Sequence, residues 1–109
     1  MAYDEGLAAR VRELLGGRDG VTERKMFGGI AWMIQGNMAC GVLGEELLVR
    51  LSHEDAAAAL REPGVREFDF TGRVARGMAV VDGAVVEDDS ALGSWVDAGA
   101  NHASSLEPK

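Results

Sequence analysis

The stretch from Arg24 to Leu51 constrains the fold more than any other part of the chain. Residues 30–35, 38–43 and 47–51 are short apolar runs, separated by Gly36-Asn37 and by Gly44-Glu45-Glu46. Runs this short, bounded by turn residues, read as strands rather than helices. Tight turns can join only antiparallel neighbours, because a parallel pair needs a long crossover. The stretch therefore predicts an antiparallel meander. Val21 to Phe27 extends it by one strand on the N-terminal side, with a break at Gly28-Gly29. Gly36-Asn37 reads as a two-residue hairpin loop of the primed type, with glycine supplying positive φ at its first position.

Helical signals flank the meander. Asp4 is placed to cap a helix over about 4–16, with Leu7, Val11, Leu14 and Leu15 as its apolar stripe and Gly16-Gly17 as its stop. Ser52 followed by Asp55 resembles a capping box for a short helix over about 53–61, ended by Pro63-Gly64. Residues 66–70 read as an edge or irregular strand. Thr71-Gly72 turns the chain, 77–81 forms another strand, and Asp82-Gly83 is a turn. A last helix spans about 89–104, capped by Asp88 or Asp89, with Leu92, Trp95, Val96, Gly99, Ala100 and Ala103 at helical spacing. Residues 104–109 read as a loose tail. The expected architecture is α+β: a two-layer sandwich with an antiparallel sheet of about five to six strands and three helices on one face. The order is helix, four-strand meander, helix, two strands, helix, in a single domain over 1–109.

The strands are apolar on both sides. Ile30, Trp32 and Ile34 alternate with Ala31, Met33 and Gln35; Met38, Cys40 and Val42 alternate with Ala39, Gly41 and Leu43; Leu47, Val49 and Leu51 alternate with Leu48 and Arg50. Three helices on one side would leave the other partly bare. Ala31, Met33, Ala39 and Leu48 are then candidates for an interface, in a homodimer or against another protein, since exposed apolar patches mark interaction surfaces. The alternative is that loops such as 62–76 fold over and cover that face.

The formal charge of −7 disfavours direct nucleic-acid binding, which rests mainly on neutralising phosphates. Arg24, Lys25, Arg50, Arg73 and Arg76 stand out against the acidic remainder. Brought together, they would suit an anionic ligand, because guanidinium groups grip carboxylate or phosphate with two hydrogen bonds. The plainer reading is that they pair with the surplus carboxylates. Other chemistry is hard to find. His53, His102 and the single Cys40 have no metal-ligand spacing. Cys40 sits mid-strand among apolar residues, where a thiol behaves as a small hydrophobe. No Walker motif and no Gly-x-Ser-x-Gly elbow is present. No catalytic residue, metal or cofactor is expected. No apolar run approaches the roughly 20 residues that span a bilayer, and the N-terminus lacks a signal-peptide layout, so a cytoplasmic location is expected.

Lys25-Met26-Phe27-Gly28-Gly29, Gly36-Asn37-Met38, Val49-Arg50, Phe70-Thr71-Gly72-Arg73, Gly77-Met78, Trp95-Val96 and Ser105-Leu106-Glu107-Pro108-Lys109 together resemble the TfoX (Sxy) N-terminal domain family. The resemblance covers nearly the whole chain in order. It implies an α+β fold similar to type III secretion chaperones and a cytoplasmic bacterial protein without known catalytic activity. It also implies a regulatory or adaptor role like that of the competence-gene regulators, acting with a transcription-related protein partner. The family's two-domain members carry a helical C-terminal domain; here a stand-alone member is expected. The alternative to an adaptor is a small-anion or metabolite-binding domain using the basic residues named above.

Overall fold

A computed structural model describes residues 3–26, 28–70 and 72–109, apart from the side chain of Phe70. Phe27, expected to end the first strand, and Thr71, expected in a turn, lie outside the described residues.

The chain runs α1 (Glu5–Leu15), β1 (Val21–Met26), β2 (Gly29–Ile34), β3 (Asn37–Leu43), β4 (Glu46–Arg50), α2 (His53–Ala59), β5 (Val65–Phe70), β6 (Arg73–Val81), α3 (Gly83–Val86) and α4 (Asp89–Ser105). One antiparallel sheet has the order β1-β2-β3-β4-β6-β5. The α+β sandwich and its meander are as expected. A fourth helix, α3, occupies the segment after the Asp82 turn, and β6 begins at Arg73 rather than at Gly77.

Short polar side chains start the helices. Asp4 accepts a hydrogen bond from the Leu7 amide at 3.0 Å, Ser52 from Asp55 at 3.0 Å and Asp88 from Ala91 at 2.9 Å. Each fills an amide that the first turn cannot satisfy. Leu7, Ala8, Val11 and Leu15 bury the inner side of α1, while Leu14 is 43% exposed and leaves the expected stripe. The main core lies between helices and sheet. It joins Ile30, Trp32, Ile34, Val42, Leu47, Val49 and Val81 to Leu92, Val96, Ala100 and Ala103 of α4. Gly99 lets α4 come close to β3, because a Cβ there would collide with the Ala39 carbonyl oxygen.

Two local features differ from the sequence reading. The hairpin loop is Gln35-Gly36, not Gly36-Asn37. Both loop residues have positive φ, 52° and 85°, as a type I′ turn requires, and Ile34 pairs with Asn37. The register also shifts, with Trp32 opposite Cys40 but Met33 opposite Met38. Ala39 is the extra residue of a bulge. It therefore faces the helices beside Cys40, and Met38 turns to the other side of the sheet.

The C-terminal tail is tied down rather than loose. Asn37 is 2% exposed and donates from Nδ2 to the Glu107 carbonyl at 2.9 Å. The Lys109 amide donates to Gln35 O at 2.8 Å, and the Gln35 amide donates to Gly20 O at 3.0 Å. The tail thus clasps the β2–β3 hairpin.

Candidate functional site on the outer face of the sheet

Residues directly opposite one another in neighbouring strands share a face, so the register sorts the side chains. Arg24 pairs with Ala31, Ala31 with Gly41, Gly41 with Leu48, Leu48 with Val80, and Val80 with Arg66. These six form one row across the face turned away from the helices, with an arginine at each end. Thr22, Met33 and Met38 continue a second row, and Arg50 pairs with Met78 on the same side. Ala31, Met33, Met38, Leu48, Phe68 and Val80 make a second, smaller core there, and Met26, Leu43, Ala75 and Met78 pack half-buried around it. Four of the chain's five methionines therefore lie on this face.

The expected bare face is not bare at its centre. Ala31, Met33 and Leu48 are 1%, 8% and 0% exposed within the single chain, and Ala39 at 0% belongs to the helix side. Side chains already withdrawn from water add little area to a contact with a partner. The covering comes partly from the segment 62–76, which contributes Phe68 and Ala75. What remains accessible is the half-buried ring of Met26, Leu43, Ala75 and Met78, together with its arginines.

The basic residues divide. Arg24 and Arg50 lie on the outer face by register, and Arg73 lies two residues before Ala75 on the same side. Lys25 pairs with Ile30 and so lies on the helix side at the sheet edge. Arg76 lies beside α2, lining a cavity with His53, Ala57, Leu60 and Val74. Arg24 and Arg50 are three strands apart, about 14 Å at ordinary strand spacing. One small anion cannot bridge them, so the structure does not gather the five into one anion pocket.

Nor do these residues pair with carboxylates among the described residues. The ion pairs among the described residues are Arg10–Asp89, Arg12–Glu23, Arg18–Asp97 and Arg66–Glu46. Only Arg66–Glu46, a two-point contact with Nη2 to Oε1 at 2.6 Å, lies on the outer face. That hydrogen bond raises the pKa of the Arg66 guanidinium. The face therefore carries Arg24, Arg50 and Arg73 unpaired among the described residues, on a chain of net charge −7. Arg66, Met26, Met38, Met78 and Phe68 were not singled out from sequence. Their signal was the two-residue alternation of Thr22, Arg24, Met26 and of Arg66, Phe68, which becomes informative only once the register is known.

The rest of the surface offers less chemistry. A groove of about 880 Å³ lies between α1, the β3–β4 turn and α3; its polar lining is mainly Asp4, Glu45, Glu46, Asp82 and Glu87, with Arg10. No cluster of three or more His, Cys, Asp or Glu side chains suited to a metal occurs among the described residues. Cys40 is fully buried, and burial pushes its thiol up to about 12, so it stays protonated and unreactive near neutral pH. Trp32 fills the core at 1% exposure, and its indole Nε1 has no hydrogen-bond partner among the described residues. Trp95 packs half-buried against the same core. No helix among the described residues is long and apolar enough to cross a membrane.

Compared with known proteins, the chain matches no curated protein and no solved structure. The family model of the TfoX N-terminal domain matches residues 13–103. That span runs from the last turn of α1 to the last turn of α4 and includes all six strands. The chain belongs to the TfoX N-terminal domain family.

Proposed function

We propose that this domain is a non-catalytic regulatory or adaptor module that works in the cytoplasm by contact with another protein of the transcription machinery. Family membership supports a competence-related regulatory setting. The observation that carries the contact reading is the outer face, where Arg24, Arg50 and Arg73 stand unpaired among the described residues around half-buried methionines. Methionine side chains repack cheaply, which suits a surface that must fit a partner. A homodimer built on Ala31, Met33, Ala39 and Leu48 is less well supported, since all four are already buried in their own chain.

Deleting the gene and profiling RNA tests the regulatory reading. The expected result is altered transcript levels in a coherent gene set, restored by the intact protein. An unchanged profile under conditions where the protein is made would overturn it.

A further inference from the structure

We infer that the outer face of the sheet docks an acidic polypeptide segment with apolar side chains interleaved among its carboxylates. The inference rests on the protein-contact reading and names the chemistry of the partner.

Three observations select this occupant. First, charge: the outer face holds Arg24, Arg50, Arg66 and Arg73, and Glu46, held by Arg66, is the carboxylate that the register places among them. The remainder of the molecule is correspondingly acidic. Opposite potentials steer encounter and fix orientation, so this face attracts what the rest of the surface repels. Second, spacing: the row from Arg24 to Arg66 crosses six strands, about 24 Å at ordinary strand separation. A small anion meets one arginine at a time. An extended chain of about seven residues covers the row. Third, the ground between the arginines is aliphatic and thioether, from Met26, Leu43, Ala75 and Met78. Such a surface accepts leucine or methionine anchors. A single-stranded nucleic acid would instead want aromatic platforms for its bases.

The probe is a labelled dodecapeptide of alternating glutamate and leucine, followed by fluorescence anisotropy at low and at moderate salt. The expected result is saturable binding that weakens with salt. Reversing Arg24, Arg50 and Arg73 to glutamate together should weaken it about tenfold or more. Arg61→Glu, at an exposed arginine beyond α2, should leave it unchanged. Equal binding of a lysine–leucine dodecapeptide would overturn the proposal, as would unchanged affinity in the triple variant. If a single-stranded dodecanucleotide binds and the acidic peptide does not, the face is a nucleic-acid surface and the proposal fails. Self-association in sedimentation that the triple variant abolishes makes a second copy the occupant, which also overturns it. Should the triple variant not fold, the single changes Arg24→Gln and Arg73→Gln at exposed positions take its place; each should lower affinity, and no loss in either counts against the inference. A peptide that fails to bind while gene deletion still alters transcription removes this inference alone and leaves the regulatory reading intact.

Discussion

Leu47 and Leu48 are consecutive residues of β4, both fully withdrawn from solvent, and they point into different halves of the molecule. Leu47 meets the helix-side core, where Gly99, Ala39, Ala79, Ala100 and Ala103 allow close approach and branched side chains fill the space. Leu48 meets Met33, Met38, Phe68 and Val80 on the outer face. One core is shaped by backbone contacts that cannot give way. The other includes the unbranched side chains of Met33 and Met38, which can. The same extent of burial therefore has different mechanical consequences on the two sides, and an adaptable surface belongs where the methionines are.

Cutting back the two leucines is the strongest way to break this contrast. Leu→Ala in a core costs about 2–5 kcal/mol, depending on how far the site collapses. Leu47→Ala should fall near the top of that range and Leu48→Ala near the bottom, read by denaturant unfolding. Equal losses would mean that the outer core is as stiff as the inner one. Gly99→Val sharpens the comparison from the opposite direction. Its Cβ meets the Ala39 carbonyl oxygen, so overpacking should cost about 3 kcal/mol, whereas Met33→Leu or Met38→Leu should cost less than about 1.5 kcal/mol. A Gly99→Val protein of unchanged midpoint would refute the tight seat of α4.

The hairpin clasp comes next in size. Asn37→Ala removes the bond to the Glu107 carbonyl and should cost about 1 kcal/mol, with faster hydrogen exchange at the Lys109 amide. Protection unchanged at Lys109 would show that the backbone bond alone holds the tail.

The smallest expected effect lies at the edge of the helix side. Arg12 grips Glu23 at 2.8 Å through two nitrogens, and this hydrogen bond lowers the Glu23 pKa below 4.5. A carboxylate with a depressed folded pKa adds stability that is present above its unfolded pKa and lost as pH falls through the folded value. Arg12→Ala should therefore melt slightly below the wild type at pH 7, and the gap should close in acid below 4.5. A gap that persists in acid would assign the effect to packing of the arginine stem instead.

Local chemistry made much of this legible in the sequence. Asp4, Ser52 and Asp88 announced their helices because a cap is a contact within three residues. The meander was visible because its turns are short. The misplaced features are those decided at a distance. Gln35 takes positive φ in a turn where glycine or asparagine is usual, and Asn37 enters β3, where its side chain holds a carbonyl seventy residues away. The bulge at Ala39 lies against Gly99 of α4, a contact distant in sequence, and it moves Met38 from one face to the other. The basic residues stand out in the sequence against its acidic remainder. Which of them share a side depended on register, and strand composition alone does not contain it. That β5 supplies Phe68 to close the outer core depends on β6 lying between it and β4, an arrangement with no signature in either segment.

That same placement of β6 has a consequence for the growing polypeptide. Strands β1 to β4 can zip in the order in which they leave the ribosome, each onto the one before. β5 emerges next but has nowhere to pair until β6 has followed, and only β6 then pairs with β4. For the length of one hairpin, β4 is an unprotected border carrying Leu47, Leu48 and Val49, and a pause in translation there is the moment at which this domain is most exposed to sticking to its neighbours.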